Sequence, residues 1–343
     1  MDNDNLGLSD GEFFTDPKRS GRQVVSRLWE KGRDILEIGA PKRVPIDQRA
    51  SLPVVVYRAG SHRELWALSF DKNAVLVAMN VEHNRGYMTR VVTEEVEEPE
   101  SPPDLAKAPK GNSSESGVVD LRANAGVPWQ PGTYVVTAIL RDLVSNRARL
   151  ELGKSEGAFH DEEVARFLES QKGELPTPVV QPVPGEPLPN YHRLPDSPPI
   201  PKLRGIELSP DRVVLLKQGA RCVLRGSFRL PVEKHELVRP PSRKPEAHEN
   251  IPPPPTAILG ITLVATAGDE PHAAMYRIDV PTWDAIEGPY PIVTGHFALD
   301  LLTTPLLADY AQTYFLYAFA GEVMTGPVPT ALVSKAMLPG HHE

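Results

Sequence analysis

The second half of the chain repeats the first half, weakly in residue identity but in the same order of strand-like segments. Two domains of one architecture are therefore the first expectation for this chain. Two segments rich in charge and proline, 93–117 and 236–255, interrupt the match, and we predict both to be mobile insertions. The matched pairs are LEIGAPKRV from Leu36 with IELSPDRV from Ile206, aligned at their last residues (Arg43-Val44 over Arg212-Val213), Leu76-Val77-Ala78 with Leu263-Val264-Ala265, Met88-x-Arg90-Val91 with Met275-x-Arg277-Ile278, and Gly132-x-Tyr134 with Gly295-x-Phe297.

Composition limits the classes of protein to which the chain belongs. Its 343 residues are 40% hydrophobic, which is enough for each half to bury a core of its own. The 37 prolines argue against long helices, because proline interrupts helical hydrogen bonding. The net charge of −8 argues against nucleic-acid binding, which requires clustered Lys and Arg. We expect no nucleic-acid partner.

The N-terminal region differs in character from the rest of the first half. Residues 1–20 are acidic and are predicted to form a disordered arm, and the apolar spacing over 21–34 predicts an amphipathic helix that carries Trp29. This helix either packs on the first domain or docks a partner protein. The chain as given has no signal-like apolar segment and no apolar run long enough to cross a membrane, so we expect a cytoplasmic protein without membrane insertion.

Short runs rich in β-branched and aromatic residues dominate both halves. Seven such runs, separated by Gly, Pro, Asn and Ser, fall within 35–153 and predict an antiparallel β-sandwich. A second sandwich is predicted over 203–336, followed by a tail at 337–343. The fold class is therefore predicted to be all-β, with two tandem sandwiches and a short N-terminal helix.

The segment 154–202 is predicted to contain a short helix followed by a proline-rich linker. Ten of the 26 residues from Pro176 to Pro201 are proline, which favours an extended polyproline conformation. Three roles remain open for this linker: a spacer between domains, a cover over a sheet face, and a ligand for a proline-binding domain.

The run TYFLYAFAG near the C-terminus is the main candidate for an interaction surface. Alternation places Tyr314 on one face of the strand, with Phe315, Tyr317 and Phe319 on the other, so both faces are apolar. If this strand lies at a sheet edge, something must cover it. The cover is the first domain, the proline-rich linker or a second subunit, and these four aromatic residues together with Trp29 are the predicted interaction residues.

The segment PGTYVVTAILRDLVSNRARLEL resembles the last two strands of immunoglobulin-like sandwiches. In that family a tyrosine at the position of Tyr134 closes a corner by bonding its hydroxyl to the backbone. Phe297, the matched residue of the second copy, has no hydroxyl for such a corner. The resemblance implies the fold and a structural role for these two residues, but it implies no activity, because the fold hosts many functions.

Few residues point to catalysis or to ligand binding. The sequence has no nucleophile elbow, zinc-protease motif, paired Cys-x-x-Cys or dinucleotide-binding loop, and we identify no catalytic or cofactor-binding residue. His83 and His296 are the candidates for metal ligands, since sandwich metal sites draw histidines from different strands. Cys222, the only cysteine, lies in a strand-like run and is interpreted as a small buried hydrophobic residue.

We therefore expect a non-enzymatic structural or accessory module that binds a protein partner or a second copy of itself. One alternative is a metal-dependent protein or enzyme whose site is assembled from strand ends around His83 or His296. A second alternative is a carbohydrate-binding module. That module requires an exposed row of aromatic residues, and the tryptophans at 29, 66, 129 and 283 are too scattered to indicate one.

Overall fold

The computed structural model describes most of the strand-forming sequence. Several predicted features lie outside the described residues: the helix over 21–34, the helix at the start of 154–202, the tail, and most of the linker and of the two insertions. The described ranges are 10–15, 35–61, 73–81, 85–91, 112–153, 186–187, 195–231, 237–238, 256–267, 271–280, 285–287, 290–308 and 310–334. They are mostly β-strand and divide into two compact units, unit 1 mainly before Val183 and unit 2 mainly after it.

Unit 1 contains two short helices and eight strands. In chain order these are α1 (Glu12–Thr15), β1 (Ile35–Gly39), β2 (Arg43–Pro45), β3 (Pro53–Ser61), β4 (Ala74–Asn80), β5 (Arg85–Arg90), β6 (Asn112–Asp120), α2 (Leu121–Ala125), β7 (Gly132–Leu140) and β8 (Leu143–Gly153).

The strands of unit 1 form one sheet of three strands and one of five. The strand orders are β1-β3-β6 and β2-β8-β7-β4-β5. Residues of both sheets belong to one buried cluster, so the sheets pack face to face on a shared core. The pairings β1-β3, β3-β6, β4-β7 and β7-β8 are antiparallel, and β2 runs parallel to β8. The chain thus begins in one sheet with β1 and crosses to the other with β2.

Unit 2 contains eleven described strands. They are β9 (Glu186–Pro187), β10 (Gly205–Pro210), β11 (Val213–Leu215), β12 (Val223–Pro231), β13 (Leu237–Val238), β14 (Thr256–Thr266), β15 (His272–Val280), β16 (Ala285–Glu287), β17 (Tyr290–Asp300), β18 (Thr313–Ala320) and β19 (Val323–Val333). A 3-10 helix, Leu301–Thr303, follows β17.

Eight strands of unit 2 are arranged in the same order as the eight strands of unit 1. Its sheets are β10-β12-β17-β16 and β11-β19-β18-β14-β15-β9, with β13 paired to β14. Again the second short strand, here β11, runs parallel to the last strand, here β19. The additional strands β9, β13 and β16 add pairings that have no described counterpart in unit 1. Unit 2 also has a core cluster of its own.

An aspartate closes the same corner in both units. Asp120 precedes α2 and accepts hydrogen bonds from the backbone of Arg122 at 2.9 Å and of Leu52 at 2.9 Å, which ties the helix start to the residue before β3. Asp300 accepts bonds from Leu302 at 3.3 Å and from Cys222 at 3.1 Å, and Cys222 is the residue before β12. Each carboxylate therefore caps a short helix and anchors a strand.

Two glycines in unit 2 face aromatic rings across neighbouring strands. Gly226 lies directly opposite Phe297, and Phe228 lies directly opposite Gly295. A methyl group on Gly226 would overlap the Phe297 ring, and one on Gly295 would come within 2.7 Å of Phe228. The rings fill the space that the missing side chains leave, and both rings are buried.

The structure corrects the last match of the sequence repeat. Phe297 lies on β17, whereas Tyr134 lies on β7, a strand of the other sheet type. The residue that corresponds to Tyr134 is Tyr314. Tyr134 pairs with Leu150, two residues before the buried Leu152, and Tyr314 pairs with Thr330, two residues before the buried Leu332. Tyr314 also donates a hydrogen bond to the Ala308 carbonyl at 3.0 Å. Tyr134 is fully buried, and a hydroxyl bond for it stays a prediction.

The first match slips by one residue. Val44 and Val214 are both buried and lie opposite Leu152 and Leu332, so these valines correspond to each other. The sequence match had placed Val44 over Val213, which is 64% exposed. In a strand a shift of one residue moves a side chain to the opposite face.

Three further predictions also change. Residues 10–15, predicted to be part of a disordered arm, include α1, and Phe13 and Phe14 are buried. Residues 112–117, predicted to be part of a mobile insertion, belong to β6. The apolar strand β18 pairs with both β14 and β19, so the condition that it lies at a sheet edge is not met.

Candidate functional site

The outer face of β11, β19 and β18 in unit 2 carries an apolar surface. Side chains alternate along these strands, so the neighbours of the buried Val214, Leu332 and Tyr314 point away from the core. The pairing places Val213 opposite Ala331, which lies opposite Thr313 on its other side. We call this surface the edge patch, and its five members are Val213, Thr313, Phe315, Pro329 and Ala331.

The second row of the edge patch lies directly beside the first. Phe315 pairs with Pro329, and each is two residues from a member of the first row and so on the same face. Val213 is 64% exposed, Thr313 and Pro329 are exposed, and Phe315 and Ala331 are partly exposed. Four of the five side chains are apolar and none carries a charge. A contiguous surface of this kind is typical of protein contact sites.

The equivalent face of unit 1 has a different chemical character. There Arg43 pairs with Glu151, which pairs with Thr133, and Val135 pairs with Arg149. Arg43, Glu151 and Arg149 are exposed. Three charged residues thus occupy the positions that Val213, Ala331 and Pro329 hold in unit 2. The corresponding strands therefore form a charged, solvated surface in unit 1 and an apolar surface in unit 2.

A cleft of about 340 Å³ adjoins the edge patch in unit 2. It is lined by β10, by β19 and by three patch members, Thr313, Pro329 and Ala331. Thr330, at its base, donates a hydrogen bond to the Asp211 carbonyl at 2.6 Å and so is already satisfied. Among the described residues that line the cleft, Arg212 is the only charged one.

A side-chain clasp closes the corresponding gap in unit 1. The Ile38 backbone donates to Asn146 Oδ1 at 2.8 Å, and Asn146 Nδ2 donates back to the Ile38 carbonyl at 2.9 Å, which joins β8 to β1 across the two sheets. The pairs Ile139–Val144 in unit 1 and Phe319–Met324 in unit 2 are equivalent. Asn146 lies two residues after Val144, so its counterpart is Gly326, two residues after Met324. Glycine has no amide side chain, so unit 2 lacks this clasp at the edge where the cleft lies.

The predicted interaction residues separate into different environments. Tyr314 faces the core and is 1% exposed, and Tyr317 and Phe319 are buried on the outer face, so these three are not on the exposed surface. Phe315 alone among the four is partly exposed, as a member of the edge patch. Trp29 lies outside the described residues.

The metal-ligand candidates do not come together in the described part of the chain. His296 lies on β17 opposite Ser227, whose hydroxyl donates to the Pro199 carbonyl at 2.7 Å. His83 lies outside the described residues. Over the described ranges, no group of three or more His, Cys, Asp or Glu side chains is placed to hold a metal ion.

Cys222 is buried in unit 2, as its interpretation as a hydrophobic residue requires. Burial raises the pKa of its thiol, and a contact of 3.6 Å between its Sγ and Thr330 Oγ1 only partly offsets this. The thiol is therefore neutral near pH 7 and is not an activated nucleophile.

The described part of the proline-rich linker contacts β12 and β15 of unit 2 rather than β18. Arg225 Nε donates to the Pro195 carbonyl at 3.1 Å, next to the Ser227 bond to Pro199. Both donors are on the outer side of β12. Farther back, Glu186 and Pro187 form β9, which extends the other sheet along β15. In these residues the linker is bound to the domain and is more than a spacer.

Sequence reasoning missed most of the edge patch. It placed Phe315 on the correct face but not Val213, Pro329 or Ala331, since those residues join it only through pairing between strands distant in sequence. A usable signal was the exchange of Arg and Glu in PKRV and RARLELG for apolar residues and proline in the second copy.

The described helices include none that is long and apolar enough to cross a membrane. A scan against protein-family models found no match, and a search of curated proteins found no relative. The edge patch, with its charged counterpart in unit 1, is therefore the candidate site that the geometry itself provides.

Proposed function

We propose that each unit is an immunoglobulin-like sandwich and that the chain is a tandem duplication of one such domain. The shared strand order supports this, as does the parallel pairing of a short second strand with the last strand in each unit. The Tyr314 hydroxyl bond to the backbone six residues upstream supports it further, because this is the corner typical of that fold.

The chain acts as a non-enzymatic interaction module, and the edge patch of unit 2 is the surface that contacts a protein partner or a second copy of the chain. One observation carries this proposal. The same face is charged and solvated in unit 1 but apolar and exposed in unit 2, although the strands that form it are the same. Contact between apolar side chains and water is unfavourable in free energy. A partner that covers exposed apolar side chains removes this contact, which is why such surfaces bind proteins.

The patch also has features that suit binding rather than aggregation. Pro327 and Pro329 on β19 have no N–H to donate, so an unrelated strand cannot readily extend the sheet along this strand. A partner is then recognised through side chains on the face. The adjoining cleft offers a recess of about 340 Å³ for one protruding side chain of the partner.

The experiment is site-specific photo-crosslinking in cells that express the natural protein. A benzophenone amino acid replaces Val213 in one variant and Arg43, its counterpart in unit 1, in the matched control. Position 213 is expected to give a discrete protein adduct identified by mass spectrometry, and the added substitution P329E is expected to abolish that adduct. An adduct to the chain itself identifies a homo-oligomer as the partner.

Equal adduct patterns at positions 213 and 43 contradict the proposal, since both positions are exposed and differ mainly in the chemistry around them. Persistence of the adduct in the P329E variant contradicts it as well.

A further inference from the structure

Residues 10–15 lie against unit 1 as a short segment that joins no strand. α1 contacts β3, and Phe13 and Phe14 belong to the same buried cluster as the side chains of that strand. Each phenylalanine is only 1% exposed. A six-residue piece far from β3 in sequence is thus held mainly by its side chains.

Three anchors hold this segment. Asp10 accepts hydrogen bonds from two successive backbone amides, Lys42 at 2.7 Å and Arg43 at 3.3 Å, one on each carboxylate oxygen. The Arg49 guanidinium lies 4.1 Å from the centre of the Phe14 ring, a cation–π contact. The two buried rings supply the apolar anchor. These contacts are made by a carboxylate and, three and four residues later, by two adjacent aromatic residues.

The backbones of Lys42 and Arg49 are each hydrogen-bonded to residues outside the segment. Lys42 uses its carbonyl to accept a bond from Glu151 at 2.8 Å, which fixes the start of β2 on β8. Arg49 is held by a turn in which its own N–H donates to the Pro45 carbonyl at 2.9 Å. A backbone that is already ordered is characteristic of binding sites, because ligand binding then costs less conformational entropy.

We propose that this part of unit 1 is a binding site for a short Asp-x-x-Phe-Phe peptide, that residues 10–14 fill it as a removable ligand, and that the same segment of a second copy fills it when the chain's own is displaced. The segment 16–34, which joins α1 to β1, corresponds to at most about 65 Å of extended chain. Exchange of an identical element between copies needs no new contact. The proposal does not depend on the edge patch of unit 2.

The first test measures peptide binding to the full chain by fluorescence anisotropy. The probe is a fluorescein-labelled peptide of residues 5–16, and the protein carries F13A and F14A, which remove the chain's own aromatic anchors and leave the site intact. We expect this variant to bind the peptide at least about tenfold more tightly than the wild-type chain does, since the tethered segment competes in the wild type. A control peptide with both phenylalanines replaced by alanine is expected to bind at least about tenfold more weakly.

Equal peptide affinity for the variant and the wild type overturns the proposal, and so does equal affinity of the two peptides. Circular dichroism reports whether the double variant is folded. If it is not, Asp10→Asn provides the same comparison, because it weakens the chain's own ligand at a polar anchor and keeps both phenylalanines in the core.

The second test addresses the second copy. A chain with F13A and F14A has a free site but no ligand, and a chain with Arg49→Gln has an intact ligand but a weakened site. Sedimentation of an equimolar mixture is expected to detect a dimer, whereas each protein alone is expected to sediment as a monomer. If the peptide binds but no heterodimer forms, exchange between copies is excluded and that part of the proposal fails.

Discussion

At the scale of single residues, the two capping aspartates show how one side chain serves two elements. Asp120 is largely buried, and its carboxylate accepts three backbone N–H bonds, from Leu52, Arg122 and Ala123. Burial raises the pKa of Asp120 above its ordinary value of 3.8, and the backbone bonds lower it by less. The ionised carboxylate is therefore less favoured in the folded chain than in the unfolded chain.

Asp120→Asn tests this balance. A raised folded pKa means that the contribution of Asp120 to stability is fully present below pH 3.8 and is lost as the pH rises through the folded pKa. Asparagine caps helices about as well as aspartate but does not titrate. The free energy of unfolding of the wild type, relative to the variant, is thus expected to fall between about pH 3 and about pH 7 in urea titrations. A rise over this range would mean that the N–H bonds outweigh burial.

At the scale of elements, the paired glycines and phenylalanines fix how β12 meets β17. Gly226→Ala is expected to lower the free energy of unfolding by about 1–3 kcal/mol, because the new methyl group overlaps the Phe297 ring. In a chain that already carries Phe297→Ala, the same change is expected to cost much less, with a coupling of about 1–3 kcal/mol.

Gly153→Ala is the matched control for this cycle. Gly153 ends β8, and a methyl group there meets no atom within 4 Å, so the change is expected to alter stability by no more than about 0.5 kcal/mol. Chemical denaturation measures all four variants. Additive effects of Gly226→Ala and Phe297→Ala would contradict the packing described here.

The elements also explain what the sequence could predict. The identical Leu-Val-Ala triplets placed Leu76 and Leu263 at equivalent positions, and the structure pairs these leucines with Ala138 and Ala318 on equivalent strands. The match of Gly132-x-Tyr134 with Gly295-x-Phe297 failed for a physical reason. Gly132 starts a strand after a turn, whereas Gly295 lies within β17 and is required by the Phe228 ring.

The candidate site was less predictable than the fold. Burial alternates along one strand and can be read locally, but the edge patch joins β11, β18 and β19, which lie far apart in sequence. Its contiguity depends on pairing register, and a shift of one residue at Val213 is enough to hide it. Likewise, no local pattern predicts that Phe13 and Phe14 are buried, since they pack with residues of β3 that lie far from them in sequence.

At the scale of the whole molecule, each unit has its own core, and the single cysteine lies in only one of them. Cys222 is fully buried with a raised pKa, so a thiol reagent near pH 7 is expected to label it only when unit 2 opens. Asp300→Ala removes an acceptor for the Cys222 backbone and is expected to shift labelling to lower urea, with a loss of about 1 kcal/mol.

Asp120→Ala is the matched change in unit 1. If the units unfold independently, it leaves the urea concentration for Cys222 labelling unchanged while lowering the stability of unit 1 by a similar amount. A shift as large as that of Asp300→Ala would mean that the two units unfold as one cooperative block.

The parallel pairing of β2 with β8 has a mechanical consequence. Tension applied between the two ends of unit 1 pulls β2 backward and β8 forward along the same axis, so their hydrogen bonds are loaded in shear and must break together. The bonds from Glu151 to Lys42 and from Ile46 to Gly153 lie in this path, and unit 2 repeats them with Ala331 to Arg212 and Leu216 to Val333. Each unit is therefore expected to resist stretching between its ends more strongly than it resists peeling of the same two strands.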